Sequence, residues 1–267
     1  LKARFTRDGN RQMREFCKRH KLGLNENGKV VVAQNEAEAL GVEELYRRGQ
    51  ANGVDVSVID QQALAKLEPN AKTHRIALHS PTTATVNPEE VNLALQQLLE
   101  KQGVAFFFGE AYAGRAGNLS IRTRTGKRFR ARHIINAAGL YADKIARDFG
   151  FSGQYTILPF KGLYLKYTGT DKPVRMNIYP VPNLKNPFLG VHFTVTVDGH
   201  IKIGPTSMPA FWRENYKGGQ NFRAGEFVHT LHKEAGLFIR NSFNFRALAW
   251  EEIKKYNRNY FIQLATA

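Results

Sequence analysis

The residues best suited to catalysis lie in one short segment, Val191–Val197, in which polar and apolar side chains alternate. A period of two predicts a strand whose successive side chains point to opposite faces of a sheet. His192 and Thr194 then share one face, and Val191 and Phe193 share the other. An imidazole held near an anionic group can take a proton at physiological pH, so His192 is a candidate general base. The alternative is a core histidine bonded to a backbone carbonyl.

Three further side chains can hold an anionic ligand. Tyr164 and Tyr179 can donate hydrogen bonds to a carboxylate, and Lys161 can pair with an anion. Each has a structural alternative, because aromatic residues in sheets commonly serve packing and a single lysine is often a solvated strand end.

The segment Ile134–Asp143 predicts a different kind of site. Its sequence is Ile-Ile-Asn-Ala-Ala-Gly-Leu-Tyr-Ala-Asp, which predicts a buried strand, a tight turn of small residues and a helix over 140–149. Small residues let a ligand approach the backbone, and a helix N-terminus favours an anion. The alternative is an ordinary α/β connection in which the small residues only allow close packing.

This segment resembles the late flavin-contacting strand and turn of the glycerol-3-phosphate dehydrogenase and D-amino-acid oxidase superfamily. Pro159–Tyr164 is similar to the strand that opens the substrate domain in that superfamily. Asn177–Pro182, with its Tyr-Pro-Val-Pro block, and Pro187–Thr194, with its Gly-Val-His-Phe-Thr block, resemble one branch, the L-2-hydroxyglutarate dehydrogenase/oxidase family. The resemblance weakens at 84–88, where the family usually has a glycine and an acid.

The resemblance implies an FAD-dependent enzyme that oxidises a 2-hydroxy acid, with L-2-hydroxyglutarate as the leading dicarboxylate substrate and oxygen or a quinone as the acceptor. His192 would be the catalytic base. Substrate contacts would come from Lys161, Tyr164, Tyr179 and Thr194. Flavin contacts would come from Glu110, Ala111, Tyr112, Ala138, Gly139 and Leu140. A related FAD-dependent amino-acid or glycerol-3-phosphate oxidoreductase is the alternative within the superfamily.

Composition adds a second class of hypothesis. The 267 residues carry a net charge of +16, with basic residues dense over 2–21 and 122–132. These stretches are typical of solvated faces, and the alternative is a basic module that binds nucleic acid or another anion without catalysis. The single cysteine, Cys17, falls on a predicted apolar helix face and fits a reducing compartment. The sequence therefore predicts a cytoplasmic protein that binds no metal or nucleic acid, with peripheral association at the inner membrane as the alternative.

The pattern of elements predicts a mixed α/β fold, α+β overall. It combines a partial FAD-binding, Rossmann-like domain over 1–28 and 81–154 with an antiparallel-sheet substrate domain over 29–80 and 155–257. Predicted helices cover 1–21, 36–52, 60–67, 88–102, 222–239 and 247–256. Predicted strands include an apolar one over 104–108, covered on both faces, and a hairpin over 119–125 and 129–135.

The glycine pattern predicts that this chain alone does not hold FAD tightly. None of the 23 glycines is separated from another by a single residue, so the Gly-x-Gly turn that cradles a pyrophosphate is missing from this sequence. We therefore expect an internal fragment, colourless and inactive unless a second chain supplies the missing strands.

Overall fold

A computed structural model describes residues 1–182 and 190–266, the side chain of residue 243 excepted. The described helices are α1 Lys2–His20, α2 Glu36–Ala51, α3 Gln61–Leu67, α4 Pro88–Lys101, α5 Ala142–Asp148, α6 Ala224–Arg240, α7 Phe245–Lys254 and α8 Arg258–Thr266. Short 3-10 turns occupy Gly139–Tyr141 and Ser242–Asn244. The described strands are β1 Leu24–Asn25, β2 Lys29–Val32, β3 Ser57–Asp60, β4 Ile76–Ser80, β5 Thr85–Val86, β6 Tyr112–Gly117, β7 Ser120–Thr123, β8 Arg128–Arg130, β9 Phe160–Lys161, β10 Leu165–Lys166, β11 Asn177–Pro180, β12 His192–Val195, β13 Ile201–Gly204 and β14 Met208–Pro209.

The helix starts follow local capping signals. The Asp60 carboxylate accepts a hydrogen bond from the Ala63 N–H at 2.8 Å, and the Asn87 side chain accepts from the Glu89 N–H at 3.0 Å. Both residues satisfy backbone donors that the first turn of a helix leaves free. The predicted starts of α3 and α4 are therefore confirmed.

Contacts divide the described residues into two compact units. Unit 1 lies within Leu1–Leu98, Gly162–Met208 and Phe243–Ala267, and unit 2 within Leu99–Lys161 and Pro209–Ser242. These limits differ from the predicted domains, because 1–28 and 81–98 group with 29–80, and 155–161 and 209–242 group with 99–154. The assignment of a flavin domain and a substrate domain stays a prediction.

Unit 1 is built on a seven-stranded sheet in the order β10-β13-β12-β11-β2-β4-β3. Its neighbouring strands are antiparallel except for β11 and β2, which are parallel. The sheet joins strands from 29–80 to strands from 165–204 in one layer that is mostly antiparallel. We call the face that carries Lys29, Tyr179 and His192 the front face, and the opposite face the rear face.

Both faces of this sheet bury apolar side chains. On the front face, Val31 and Leu78 pack with Ala39 and Val42 of α2. On the rear face, a second cluster contains Val30, Leu64, Ala77 and Met176. The Glu68 carboxylate is fully buried after α3, where it accepts hydrogen bonds from the backbone N–H groups of residues 175 and 176. It therefore ties α3 to the segment that enters β11.

Unit 2 contains an antiparallel sheet in the order β6-β7-β8. The predicted hairpin turn is confirmed, since Gly126 has a φ of +91° between β7 and β8. The predicted buried strand over 104–108 is wrong, because the segment is irregular and Phe107 and Phe108 are exposed. The second strand of the hairpin ends at Arg130, and Ile135, predicted to be buried, is 88% exposed. A covered strand needs neighbouring strands that are hydrogen-bonded to its backbone. Among the described residues, neither 104–108 nor 131–135 has such a neighbouring strand.

Two smaller observations concern the burial of Cys17 and membrane-spanning helices. Cys17 is fully buried, as predicted, and burial raises the pKa of its thiol. Within the part of the chain that the structure describes, no helix combines the length and apolar character needed to cross a bilayer.

Candidate active site

The front face brings His192 and Tyr179 into direct contact. Ile178 of β11 pairs with Phe193 of β12, so the antiparallel register sets Tyr179 opposite His192 on the same face. Their rings stack with centroids 4.0 Å apart and an interplanar angle of 12°. The predicted alternation is therefore confirmed, because Phe193 faces the rear while His192 and Thr194 face the front.

His192 is oriented by one backbone hydrogen bond. Its Nδ1 lies 3.0 Å from the Gly190 carbonyl oxygen, which assigns the ring proton to Nδ1 and leaves the Nε2 lone pair to accept. Burial lowers the pKa of the imidazole against the opposing effect of this bond, and the charge of Lys29 lowers it further. The ring thus has the carbonyl contact expected of a core histidine together with the neutral form required of a base.

Lys29 is a candidate functional residue that sequence reasoning missed. The parallel pairing of β2 with β11 sets Lys29 beside Asn177 on the front face, and its Nζ lies 5.2 Å from the centre of the Tyr179 ring. Burial lowers the pKa of this ammonium, and no carboxylate among the described residues lies within ion-pair distance of it. The sequence pattern assigned this lysine to the same strand face as Val31, but the sequence does not show that β11 is the partner of this strand.

Thr194 and Tyr164 complete the front-face group. Burial raises the pKa of Tyr179, hydrogen bonding with Thr194 opposes this, and proximity to Tyr164 adds to it. Tyr164 also packs on Gly204, where an added Cβ would lie 2.7 Å from its Cδ1 atom. Gly204 pairs with His192 across β12 and β13. The structure therefore gathers Tyr164, Tyr179, His192 and Thr194 in one place.

Lys161 belongs to unit 2, and its ammonium has a partner there. Its Nζ donates to the Asn215 Oδ1 at 3.2 Å, and Asn215 is buried. The front-face group is therefore described without Lys161, and its predicted substrate contact stays a prediction.

A cavity of about 1090 Å³ in unit 2 brings together three of the predicted flavin contacts, Ala111, Tyr112 and Ala138. The charged residues that line it are Arg124, Lys144, Arg147, Asp148, Glu214, Arg223 and Glu226. Lys144 pairs with Glu226 at 2.5 Å, whereas Arg124 and Arg223 make no ion pair with the described residues. Small side chains beside free guanidinium groups fit a bound diphosphate.

The other three predicted flavin residues serve the local structure. Glu110 pairs with Lys127 at 2.7 Å and accepts a hydrogen bond from Thr125. The contact with Lys127 is the largest cause that lowers the pKa of the Glu110 carboxyl to about 2, and the hydrogen bond from Thr125 adds to it. Gly139 has a φ of +52° at the start of the 3-10 turn, and the Leu140 carbonyl accepts from Arg213. These three residues do not line the cavity.

A buried aspartate fixes the turn beside this cavity. The Asp143 Oδ2 accepts from Arg213 at 2.8 Å, from Arg147 at 2.9 Å and from the Ile157 N–H at 3.1 Å. Burial alone would raise the pKa of this carboxyl, but Arg213 and the backbone donor lower it to about 2. Asp143 therefore acts as an ionised anchor that joins α5 to two other segments of unit 2.

The comparisons with known proteins agree with this fold. Residues 1–256 match the family described as DAO: FAD dependent oxidoreductase. The L-2-hydroxyglutarate dehydrogenase of Escherichia coli O17:K52:H18 (strain UMN026 / ExPEC) is 32% identical over 221 residues, which are 81% of this chain and 52% of that protein. The mitochondrial L-2-hydroxyglutarate dehydrogenase of Mus musculus is 32% identical over 81% of this chain and 50% of its own length. This chain thus spans about half the length of these curated relatives.

Solved structures support the fold alone, because their sequence identities are low. A glycine oxidase from Bacillus cereus ATCC 14579 superposes with a TM-score of 0.64 at 18% identity, covering 86% of this chain and 61% of that one. An L-proline dehydrogenase from P. horikoshii gives a TM-score of 0.65 at 14% identity, with the same coverage. The mixed α/β class predicted from the sequence is confirmed. With the family match over most of its length, this chain belongs to the FAD dependent oxidoreductase family.

Proposed function

We propose that this chain carries the substrate-binding face of an FAD-dependent enzyme that oxidises a 2-hydroxy acid, with L-2-hydroxyglutarate as the leading substrate. The single observation that carries the proposal is the stacked pair of His192 and Tyr179 with Lys29 beside it. The names of the curated relatives support the choice of substrate.

In this proposal the front face performs two tasks. His192 accepts the hydroxyl proton of the substrate at Nε2, because Nδ1 is committed to the Gly190 carbonyl. Lys29 neutralises a substrate carboxylate, while Tyr164, Tyr179 and Thr194 donate hydrogen bonds to the carboxylate oxygens. Lys161 is a further candidate for the second carboxylate. The half-buried setting of Lys29 strengthens its attraction for an anion because less water screens the charge.

For the cofactor, Ala111, Tyr112 and Ala138 would line the dinucleotide, and Arg124 and Arg223 would offer charge to its phosphates. Backbone contacts from Glu110, Gly139 and Leu140 are part of the same proposal. When bound, FAD supplies a hydride acceptor for the substrate carbon. In this proposal the final electron acceptor is oxygen or a quinone. A quinone would go with peripheral membrane association, which the net charge of +16 favours.

A substrate-resolved assay of flavin reduction tests the proposal. The protein is assayed in its complete, flavin-loaded form, together with the second chain that the glycine pattern predicts it to need, and loss of the oxidised-flavin absorbance is followed. L-2-hydroxyglutarate should reduce the flavin faster than glycine or glycerol 3-phosphate does. Reduction by glycine or glycerol 3-phosphate in preference to the hydroxy acid would favour the alternative oxidoreductase and contradict the proposal.

The role of His192 is tested in the same assay. His192→Ala should slow flavin reduction about a hundredfold or more, the usual contribution of a general base. His200→Ala, which alters an exposed histidine on the turn between β12 and β13, is the control. An unchanged rate with a lowered melting temperature would assign His192 to the core instead.

A further inference from the structure

A second cavity, of about 950 Å³, lies on the rear face of the seven-stranded sheet in unit 1. Its lining includes Val32, Ile178, Phe193 and Ile203 from four neighbouring strands, with Ile262 of α8. The volume is in the range of small-molecule binding sites, and these five side chains are apolar. The cavity therefore has the size and the lining to hold an apolar group.

Most of the sheet residues that line this cavity face away from the front-face group, and Tyr179 is the member of that group that also lines the cavity. Phe193 faces the cavity, whereas His192 and Thr194 on either side of it in β12 face the front. A ligand packed against Phe193 therefore lies on the opposite side of β12 from His192, the proposed base. Ile178, Phe193 and Ile203 offer no side-chain hydrogen-bond donors, so this part of the lining suits an apolar group rather than a dicarboxylate.

The charges around the cavity are all of one sign. Lys72, Lys166 and Arg258 line it and are exposed to solvent, and none of the three makes an ion pair with the described residues. His74 also lines it, but its Nε2 lies 3.1 Å from a Glu36 carboxylate oxygen. Among the described residues that line the cavity, none is an aspartate or a glutamate. The potential at the opening is therefore complementary to an anion.

We propose that this rear-face cavity is a binding site for an anion with an unbranched apolar tail, of the class of medium-chain fatty carboxylates. The tail packs against Ile178, Phe193 and Ile203, and the carboxylate meets Lys72 and Arg258 at the opening. A neutral chain of the same length lacks the charged contacts, and a short carboxylate fills too little of the apolar lining. Charge and chain length are thus separate requirements that binding measurements can resolve.

Titration calorimetry of the full chain with hexanoate, octanoate and decanoate tests the tail. Affinity should rise about fourfold for each added methylene, the increment expected when a CH₂ leaves water. Decanol is the neutral control and should bind at least tenfold more weakly than decanoate. Equal binding of decanol and decanoate, or no saturable binding of decanoate, would overturn the proposal.

Two variants locate the site. Lys72→Glu with Arg258→Glu should weaken decanoate at least tenfold and leave decanol unchanged. Lys217→Glu with Arg128→Glu makes the same change in net charge at exposed positions outside the cavity and should have no effect. Ile203→Trp should fill the cavity and weaken both probes while circular dichroism shows retained folding. Equal effects of the two double variants on decanoate binding would overturn the proposed site. Self-association of the chain that Ile203→Trp abolishes would also overturn it, because a second copy of the chain would then cover this face.

Discussion

The carboxyl group of Glu234 is predicted to reduce the stability of the folded protein at neutral pH. Glu234 lies on α6 one turn after Thr230, and both side chains are buried. Its Oε1 is buried and has no hydrogen-bond partner among the described residues. Burial raises the pKa of this carboxyl to about 7, from an ordinary value of 4.5. Glu234→Gln removes the titrating group while nearly keeping its shape, so it should stabilise the protein wherever Glu234 would otherwise carry a charge.

The size of the effect follows from the two pKa values. The unfolded chain releases this proton near pH 4.5, whereas the folded protein keeps it to about pH 7. Folding stability is therefore fully present below pH 4.5, falls between these two values and stays low above them. A pKa difference of about 2.5 corresponds to about 3 kcal/mol. At pH 8 the variant should gain most of this free energy, and at about pH 5.5 it should gain less than half of it.

Urea denaturation at pH 5.5 and pH 8 measures the free energy of unfolding of both proteins. Glu43→Gln, which changes an exposed glutamate on α2, is the control and should leave the free energy of unfolding nearly unchanged. Two results would refute the reasoning: equal stabilities of Glu234→Gln and the unaltered protein at pH 8, or a gain that does not depend on pH.

Three further predictions concern the site and its supports. Lys29→Met should raise the pKa of His192 in an NMR titration, because the Lys29 charge lowers it, and should weaken dicarboxylate binding tenfold or more; an unchanged pKa would contradict the proximity. Asp143→Asn should cost about 3–5 kcal/mol of unfolding free energy, because it leaves the buried Arg213 charge without its anion, and a loss under about 1 kcal/mol would contradict this. Gly204→Ala should cost about 1–3 kcal/mol, since φ is +152° and the new Cβ would approach Tyr164; an unaltered melting temperature would show that the sheet yields there.

The sequence predicted what is decided locally. Asp60 and Asn87 mark helix starts because each side chain satisfies backbone donors within three residues, so the signal and its effect are neighbours in the chain. The alternation around His192 predicted its sheet face because strand geometry alone determines which side chains share a face. The small-residue turn also begins a helical segment near residue 140, where Gly139 takes a positive φ.

The apolar pattern gave wrong predictions of burial where burial depends on segments that are distant in the chain. Residues 104–108 have the composition of a strand covered on both faces, yet the structure leaves Phe107 and Phe108 exposed. A sequence pattern reports what a segment can pair with, whereas burial also requires that another segment be present to pair with it. The same reasoning applies to Ile135, which follows a hairpin strand that ends at Arg130. The Pro187–Leu189 part of the second resemblance block lies outside the described residues.

Lys29 shows why the sequence alone did not predict every residue of the candidate site. Its own strand was predicted correctly, and alternation assigned it to one face with Val31, but a lysine on a strand is ordinarily solvated. Its meaning changes only through the parallel pairing of β2 with β11, which sets its ammonium over the Tyr179 ring. The antiparallel pairing of β11 with β12 then stacks that ring on His192. Two register choices between segments far apart in the chain thus place a cation, an aromatic hydroxyl and an imidazole together. Because a slip of one residue in either pairing would turn a member of the group to the rear face, the site depends on register as much as on residue type.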